Sequence, residues 1–239
     1  LEQAAGRPIP NSWIDRVESV LYKAKMGEEM GKWARLNVKN NPTKENWRNQ
    51  MITYWDTVRD KTPKQTDSTK LDDNGTLDMF RLLRHNKSLG GEADYREFAE
   101  LALKKQAPGE AEALIKEGRA TSALTPSGLA EYLAESGRKV GADKASLMQE
   151  EKGVASMDGR RIANTAHGFL SYGEDAKAIA LYRQALTKGG ADVDLVNMRL
   201  GIALARSGQK ADARKSFEAV NGPRKGMAQF WLLWLDMNP

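Results

Sequence analysis

The 239-residue sequence has no cysteine and only two histidines, His85 and His167. Disulfides, thiolate metal sites and cysteine nucleophiles are therefore excluded. A zinc site needs three or four convergent ligands, and neither H-x-x-x-H nor H-E-x-x-H spacing is present, so no metal site is expected. Phosphate-cradling and nucleophile-elbow motifs are missing as well: there is no G-x-x-x-x-G-K-[ST], no G-x-G-x-x-G after a strand and no G-x-S-x-G. Runs of β-branched residues are scarce, so nothing builds a sheet-edge active site. The adjacent carboxylates Glu28/Glu29 and Glu150/Glu151 would point about 100° apart on a helix and do not make a shared acid–base pair. Asp72-Asp73-Asn74-Gly75 invites a calcium reading, but Lys70 and Arg81 stand where such a loop wants acids. That stretch reads as a turn and helix cap. Neither an enzyme nor a cofactor is expected.

Long apolar runs are also lacking. The longest, Phe230–Leu235, is far too short to span a bilayer, so no transmembrane segment is expected. The opening Leu1-Glu2-Gln3-Ala4-Ala5 has neither a basic n-region nor an apolar h-region, and no initiating Met. It reads as a processed chain or part of something longer. The compartment is left open, with a periplasmic or secreted location expected ahead of a cytoplasmic one.

Charge is nearly balanced, with 37 Lys+Arg against 32 Asp+Glu. From Gly153 onward 12 basic residues meet 8 acidic ones, so the excess sits toward the C-terminus. Arg160-Arg161 and Arg224-Lys225 are the tight basic pairs there, too sparse for a nucleic-acid reader, and no nucleic-acid partner is expected.

Ala, Leu, Lys, Glu and Arg, all strong helix formers, dominate the composition. In the last third they repeat. Gly173, Ala178, Tyr182 and Ala185 recur 35 residues on as Gly208, Ala213, Phe217 and Val220, and Ala166 and Phe169 map onto Gly201 and Leu204. Within each half the apolar spacing is helical: Ile162, Ala166, Phe169 and Leu170, then Ala178, Tyr182, Ala185 and Leu186. Small residues at Ala166, Gly201, Ala178 and Ala213 would let paired helices approach closely, with Phe169/Tyr182 and Leu204/Phe217 filling the space beside them.

These residues resemble the tetratricopeptide (TPR) repeat, in which a helix with a small midpoint and a large apolar residue three positions later precedes Gly. A second helix then carries Ala, an aromatic and Ala. Ile162–Leu186 and Val196–Val220 match. Phe98, Ala99, Ala102, Ala111 and Ile115 precede a matching set by 67 residues. The texture of Asn46-Trp47-Arg48 and Pro108-Gly109-Glu110-Ala111 is similar to uncharacterised TPR proteins of alphaproteobacteria. The resemblance implies an all-α fold, an α-solenoid of stacked antiparallel helix pairs, in one domain over 1–239. Residues 1–60 would be degenerate pairs and 61–75 a polar surface loop. Residues 76–158 would be degenerate TPR-like pairs, 159–227 two better-matched repeats, and 228–237 a C-terminal capping helix. In finer detail, Ser12 with Asp15 reads as a capping box, and Pro126–Arg138 with Ala142–Glu151 as another helix pair.

The resemblance further implies a non-catalytic protein–protein interaction scaffold with a concave groove lined by first helices. By analogy Arg160, Asn164, His167, Met198, Arg199, Ile202, Arg206 and Gln229 would face it. Ala163 and His167 stand where the family's carboxylate clamp carries Lys and Asn, so that clamp is not present as such. A peptide or protein segment with acidic and apolar character is the expected partner. The segment Met227–Met237 is apolar on nearly every side. It is expected to cap the array or, through Trp231 and Trp234, to join a second copy. The competing reading is a periplasmic polysaccharide- or peptidoglycan-binding module, with Trp13, Trp33, Trp47 or Trp55 lining a groove.

Overall fold

The computed structural model describes residues 9–62 and 67–238. Helix makes up 77% of the described residues, which contain no strand, only one isolated bridge between Arg59 and Leu71. Among the described residues twelve α-helices follow one another: α1 (Asn11–Lys23), α2 (Gly27–Asn40), α3 (Lys44–Val58), α4 (Asp73–His85), α5 (Glu92–Lys104), α6 (Pro108–Ala120), α7 (Ala130–Gly153), α8 (Gly159–Ser171), α9 (Asp175–Lys188), α10 (Val193–Arg206), α11 (Lys210–Glu218) and α12 (Lys225–Met237). The reading of Leu1–Ala5, and the part of the polar loop that holds Pro63 and Gln65, fall outside the described residues.

Local chemistry starts and stops these helices. Side chains cap four of them. Thr43 accepts from the Asn46 N–H at 3.1 Å, Asp72 from Gly75 at 2.9 Å, Asp158 from Arg161 at 2.8 Å and Asp192 from Leu195 at 3.0 Å, each quenching an orphan donor of a first turn. Gly173 and Gly208 end α8 and α10 with φ of +74° and +75°, the left-handed turn that glycine adopts without steric cost. Consecutive helices then pack on one another, α8 with α9 and α10 with α11 among them. The repeated positions meet as their sizes require. Ala166, Ala178 and Ala213 are fully buried, as are Phe169, Tyr182, Leu204 and Phe217 to within 1%. A Cβ on Gly201 would come within 2.6 Å of the Phe217 ring, so α10 and α11 approach at a distance that only glycine allows there.

Three expectations are corrected. Ser12 does not head a capping box: α1 starts at Asn11 behind Pro10, with no side-chain cap. The proline's fixed φ already sets the entry, and Ser12 lies inside the first turn. The helix pair expected over Pro126–Glu151 is one helix, α7, running through Gly137 and Gly141. Neither glycine adopts a positive φ, and an interior glycine costs a helix only about 1 kcal/mol, which does not stop it. The loop expected over 61–75 gives up its end to α4, and Leu71 is 1% exposed. Leu71 is tied back by its N–H to the Val58 carbonyl and by the Asp60 N–H to its own carbonyl, both at 2.9 Å.

Other contacts join distant parts of the chain. α10 and α12 both reach α4, and α12 also reaches α2. α4 is accordingly buried almost throughout, from Asp73 to Leu83. α12 links the two ends. Its Phe230 ring lies 5.4 Å from Tyr54 on α3 and 6.4 Å from Trp47. Its Trp231 stacks at 5.3 Å on Phe217 of α11 and lies 5.4 Å from His85 of α4. Trp231 is fully buried, so of the two roles considered for this segment, cap or contact with a second copy, Trp231 itself is not exposed for the second. The reason is that α4 and α11 both offer it aromatic partners. Trp234 is half-buried with its ring 4.5 Å from His85. Replacing Trp231 with Ala should lower the unfolding free energy by about 3–5 kcal/mol, read from urea melts.

Candidate functional site

α4 carries Asp78 and Arg81 three residues apart, on one face of the helix. Arg81 reaches Asp78 with Nη1 at 2.6 Å and Glu110 of α6 with Nη2 at 2.6 Å and Nε at 2.9 Å. Arg199 of α10 lies 3.5 Å from Asp78 and donates to Asn74 Oδ1 at 2.9 Å. These four charged side chains are all at most 6% exposed. Burial works against the charge on Arg81, but Glu110 and Asp78 more than offset it and its pKa rises. Burial likewise works to raise Glu110, and Arg81 overcomes it, leaving that carboxyl below the usual range. The Tyr182 hydroxyl lies buried beside this group without a hydrogen-bond partner, and burial pushes its pKa up.

Above this buried group the surface opens. One cleft of about 310 Å³ is lined by Asn74, Lys105, Asp143, Glu150, Asn164, His167 and Arg199, among others. A second, of about 300 Å³, is lined by Arg160, Asn164, Tyr182, Asp192, Leu195 and Arg199. Asn164, Leu195 and Arg199 border both. Asp143 accepts from the Tyr172 hydroxyl at 2.6 Å, and Glu150 from Thr165 at 2.9 Å. The lining thus offers cations, carboxylates and amides side by side, with two carboxylates already oriented.

The residues expected in the groove divide. Arg160 and Asn164 are exposed on the rim. His167 turns inward: both ring nitrogens are buried without hydrogen-bond partners. Burial, with Arg199 and Arg81 nearby, holds its pKa well below the ordinary value, so the ring is neutral where it borders the first cleft. Met198 and Ile202 are 1% and 0% exposed and are unavailable to a ligand, because α10 packs on α4, α9 and α11 and leaves these positions in the interior. Arg199 is buried and spoken for by α4. Arg206 is half-buried and pairs with Asp175 at 3.2 Å. Gln229 lies apart, in a cavity beside α2 and α12. Of the tryptophans considered for a sugar groove, Trp47 and Trp55 are buried and Trp13 is 54% exposed on α1. No Trp lines either cleft at Asn164.

Asp78, Arg81 and Glu110 stand outside the groove residues expected from the sequence, where Arg81 enters only as an argument against a calcium loop and Glu110 only within the Pro108–Ala111 resemblance. The signal available was a charge pair at helical spacing inside the otherwise apolar Leu77–Leu83. Lys105 and Asp143 carried no signal, since nothing in the sequence brings α5, α7 and α8 to one place. No model of a known protein family matches the sequence, and no curated protein matches it.

Glu110→Gln leaves Arg81 short of a buried counter-charge and should cost about 3–5 kcal/mol of stability in urea melts at pH 7. The double change Arg81→Met with Glu110→Leu removes both charges and should cost less than Glu110→Gln alone. His85, half-buried against the Trp231 and Trp234 rings, has its pKa lowered from 6.5 to about 4, by burial first and then by Arg206. In that window the unfolded chain binds the proton and the folded chain does not, so stability falls as pH is lowered through it. His85→Phe should flatten the slope of unfolding free energy between pH 7 and 5.

Proposed function

We propose that the chain is a non-catalytic, TPR-like interaction module that binds a short polar segment of a peptide or protein in the cleft at Asn164. In this reading residues 159–227 are two repeats of a tightly wound helical superhelix. Their first-helix face is covered in the middle by α4 and open beside it. The pairing of α8 with α9 and α10 with α11 through small-against-large positions supports the repeat assignment. The observation that carries the binding reading is the shared rim. Exposed Asn164 borders two adjoining openings whose linings include polar groups without protein partners, the His167 nitrogens and the Tyr182 hydroxyl. Buried polar groups without partners are costly, and a ligand with hydrogen-bonding groups relieves that cost.

The partner expected from the sequence is acidic and apolar. With Met198 and Ile202 in the interior, the apolar part of that expectation loses its contacts. Lys105 and Arg160 accompany Asp143 and Glu150 in the two linings, which favours a segment carrying both signs or neutral amides. Asn164→Trp blocks the rim at an exposed position and should leave the melting temperature unchanged. Peptides selected from a displayed random library on the unaltered protein should bind Asn164→Trp at least about tenfold more weakly, the loss expected when one or two charge-assisted hydrogen bonds go. Equal binding to both proteins, or selection of no peptide at all, would count against the reading.

A further inference from the structure

A cavity of about 650 Å³ opens between α2, α3, α12 and the segment Ser68–Leu71, away from the Asn164 cleft. Its charged lining is three cations, Arg35, Lys70 and Lys225, against one carboxylate, Glu28. Lys32 already holds that carboxylate at 2.9 Å. The lining therefore carries an excess of two positive charges (three less one).

Two polar groups at this cavity lack partners. Arg35 Nη1 is buried with no hydrogen bond. No carboxylate pairs with Arg35 among the described residues, where its guanidinium lies 5.5 Å from the Phe230 ring centroid. Tyr54 is 4% exposed, and its hydroxyl has no hydrogen-bond partner among the described residues. Burial pushes its pKa up to about 12, with Arg35 acting the other way, so it stands as a neutral donor. The two groups are neighbours. A Cβ on Gly31 would lie 3.0 Å from the Tyr54 ring and 3.1 Å from Arg35 Nη1. A buried cation without a counter-ion is expensive, and here it faces an opening.

The backbone adds to the field. α2 starts at Gly27 and α12 at Lys225; the first two residues of each helix line the cavity, and no side chain caps either start. The Tyr54 hydroxyl lies against the first turn of α12, where a Cβ on Gly226 would overlap it at 1.9 Å. The Gly27 and Lys225 N–H groups are taken up by the Lys25 and Gly222 carbonyls, so what the two helix N-termini add to the space at the unpaired guanidinium is their positive partial charge.

We propose that this cavity binds a phosphate monoester, with the phosphoryl oxygens between the Arg35 guanidinium and the Tyr54 hydroxyl. The charge excess of the lining suits a group carrying about −1.5 to −2 at neutral pH, and the guanidinium fork suits two of its oxygens. Val58, Leu71 and Pro223 leave an apolar wall for the organic part of the ester. The assignment does not depend on the Asn164 cleft.

Isothermal titration with phenyl phosphate, at fixed ionic strength and with succinate as the dicarboxylate comparison, tests it. Saturable one-to-one binding is expected, tighter than succinate, with a raised melting temperature. Arg35→Met keeps a long side chain over Phe230 and should weaken binding at least about tenfold, and Tyr54→Phe about threefold or more. Should Arg35→Met fail to fold, Lys225→Ala at an exposed position serves instead, with weaker binding and a shallower salt dependence expected. Absence of saturable binding overturns the proposal. So does tighter binding of succinate, or phenyl phosphate binding that both Tyr54→Phe and a cation variant leave unchanged.

Discussion

The buried ion group of Asp78, Arg81, Glu110 and Arg199 is the constraint around which the rest is arranged. Charges taken out of water are tolerable only when opposite charges lie close by. Here the four come from α4, α6 and α10, and two positive and two negative groups balance. The helices must sit where these contacts can be made. α4 is thereby held against α10, in the place where a simple row of helix pairs would leave its inner face open. Such a group contributes less to net stability than to position, because the desolvation of each charge offsets much of the attraction.

The second joint is apolar. α12 presents Phe230 to α2 and α3 and Trp231 to α4 and α11. Repeat arrays normally stabilise each unit only through its neighbours. Here α12 packs on α2, α4 and α11 at once, so the unfolding of either end exposes aromatic surface at the other. His85 lies at this joint against the two tryptophans, which ties its proton affinity to the packing of α12.

These two joints leave two openings of different character. The cleft at Asn164 borders the ion group and mixes both signs with amides, suiting a ligand recognised through several directed hydrogen bonds. The cavity between α2 and α12 is created by the apolar joint itself, since Phe230 brings the start of α12 beside Tyr54 and Arg35. Its charged lining is predominantly positive. The two openings lie at different interfaces between helices and share no lining residue.

Helix content, the α8–α9 and α10–α11 pairs and their turns were legible in the chain, because those features depend on residues within about 35 positions of one another: helical apolar spacing, a small residue at the crossing, a glycine at the turn. The rim residues Arg160 and Asn164 were legible for the same reason, being set by the face of a single helix. The unbroken course of α7 was not, because Gly137 and Gly141 mimic a stop, and a stop needs a left-handed turn that local composition alone does not impose. What only the tertiary structure decided was which helices meet across the whole chain. α10 is covered on several sides, by α4 from over a hundred residues earlier as well as by α9 and α11, which leaves Met198 and Ile202 interior, and Gln229 belongs to a different opening because α12 returns to α2. Hydrophobic patterning says which face of a helix avoids water; it does not say what covers that face, since any apolar surface of suitable shape satisfies the same free energy.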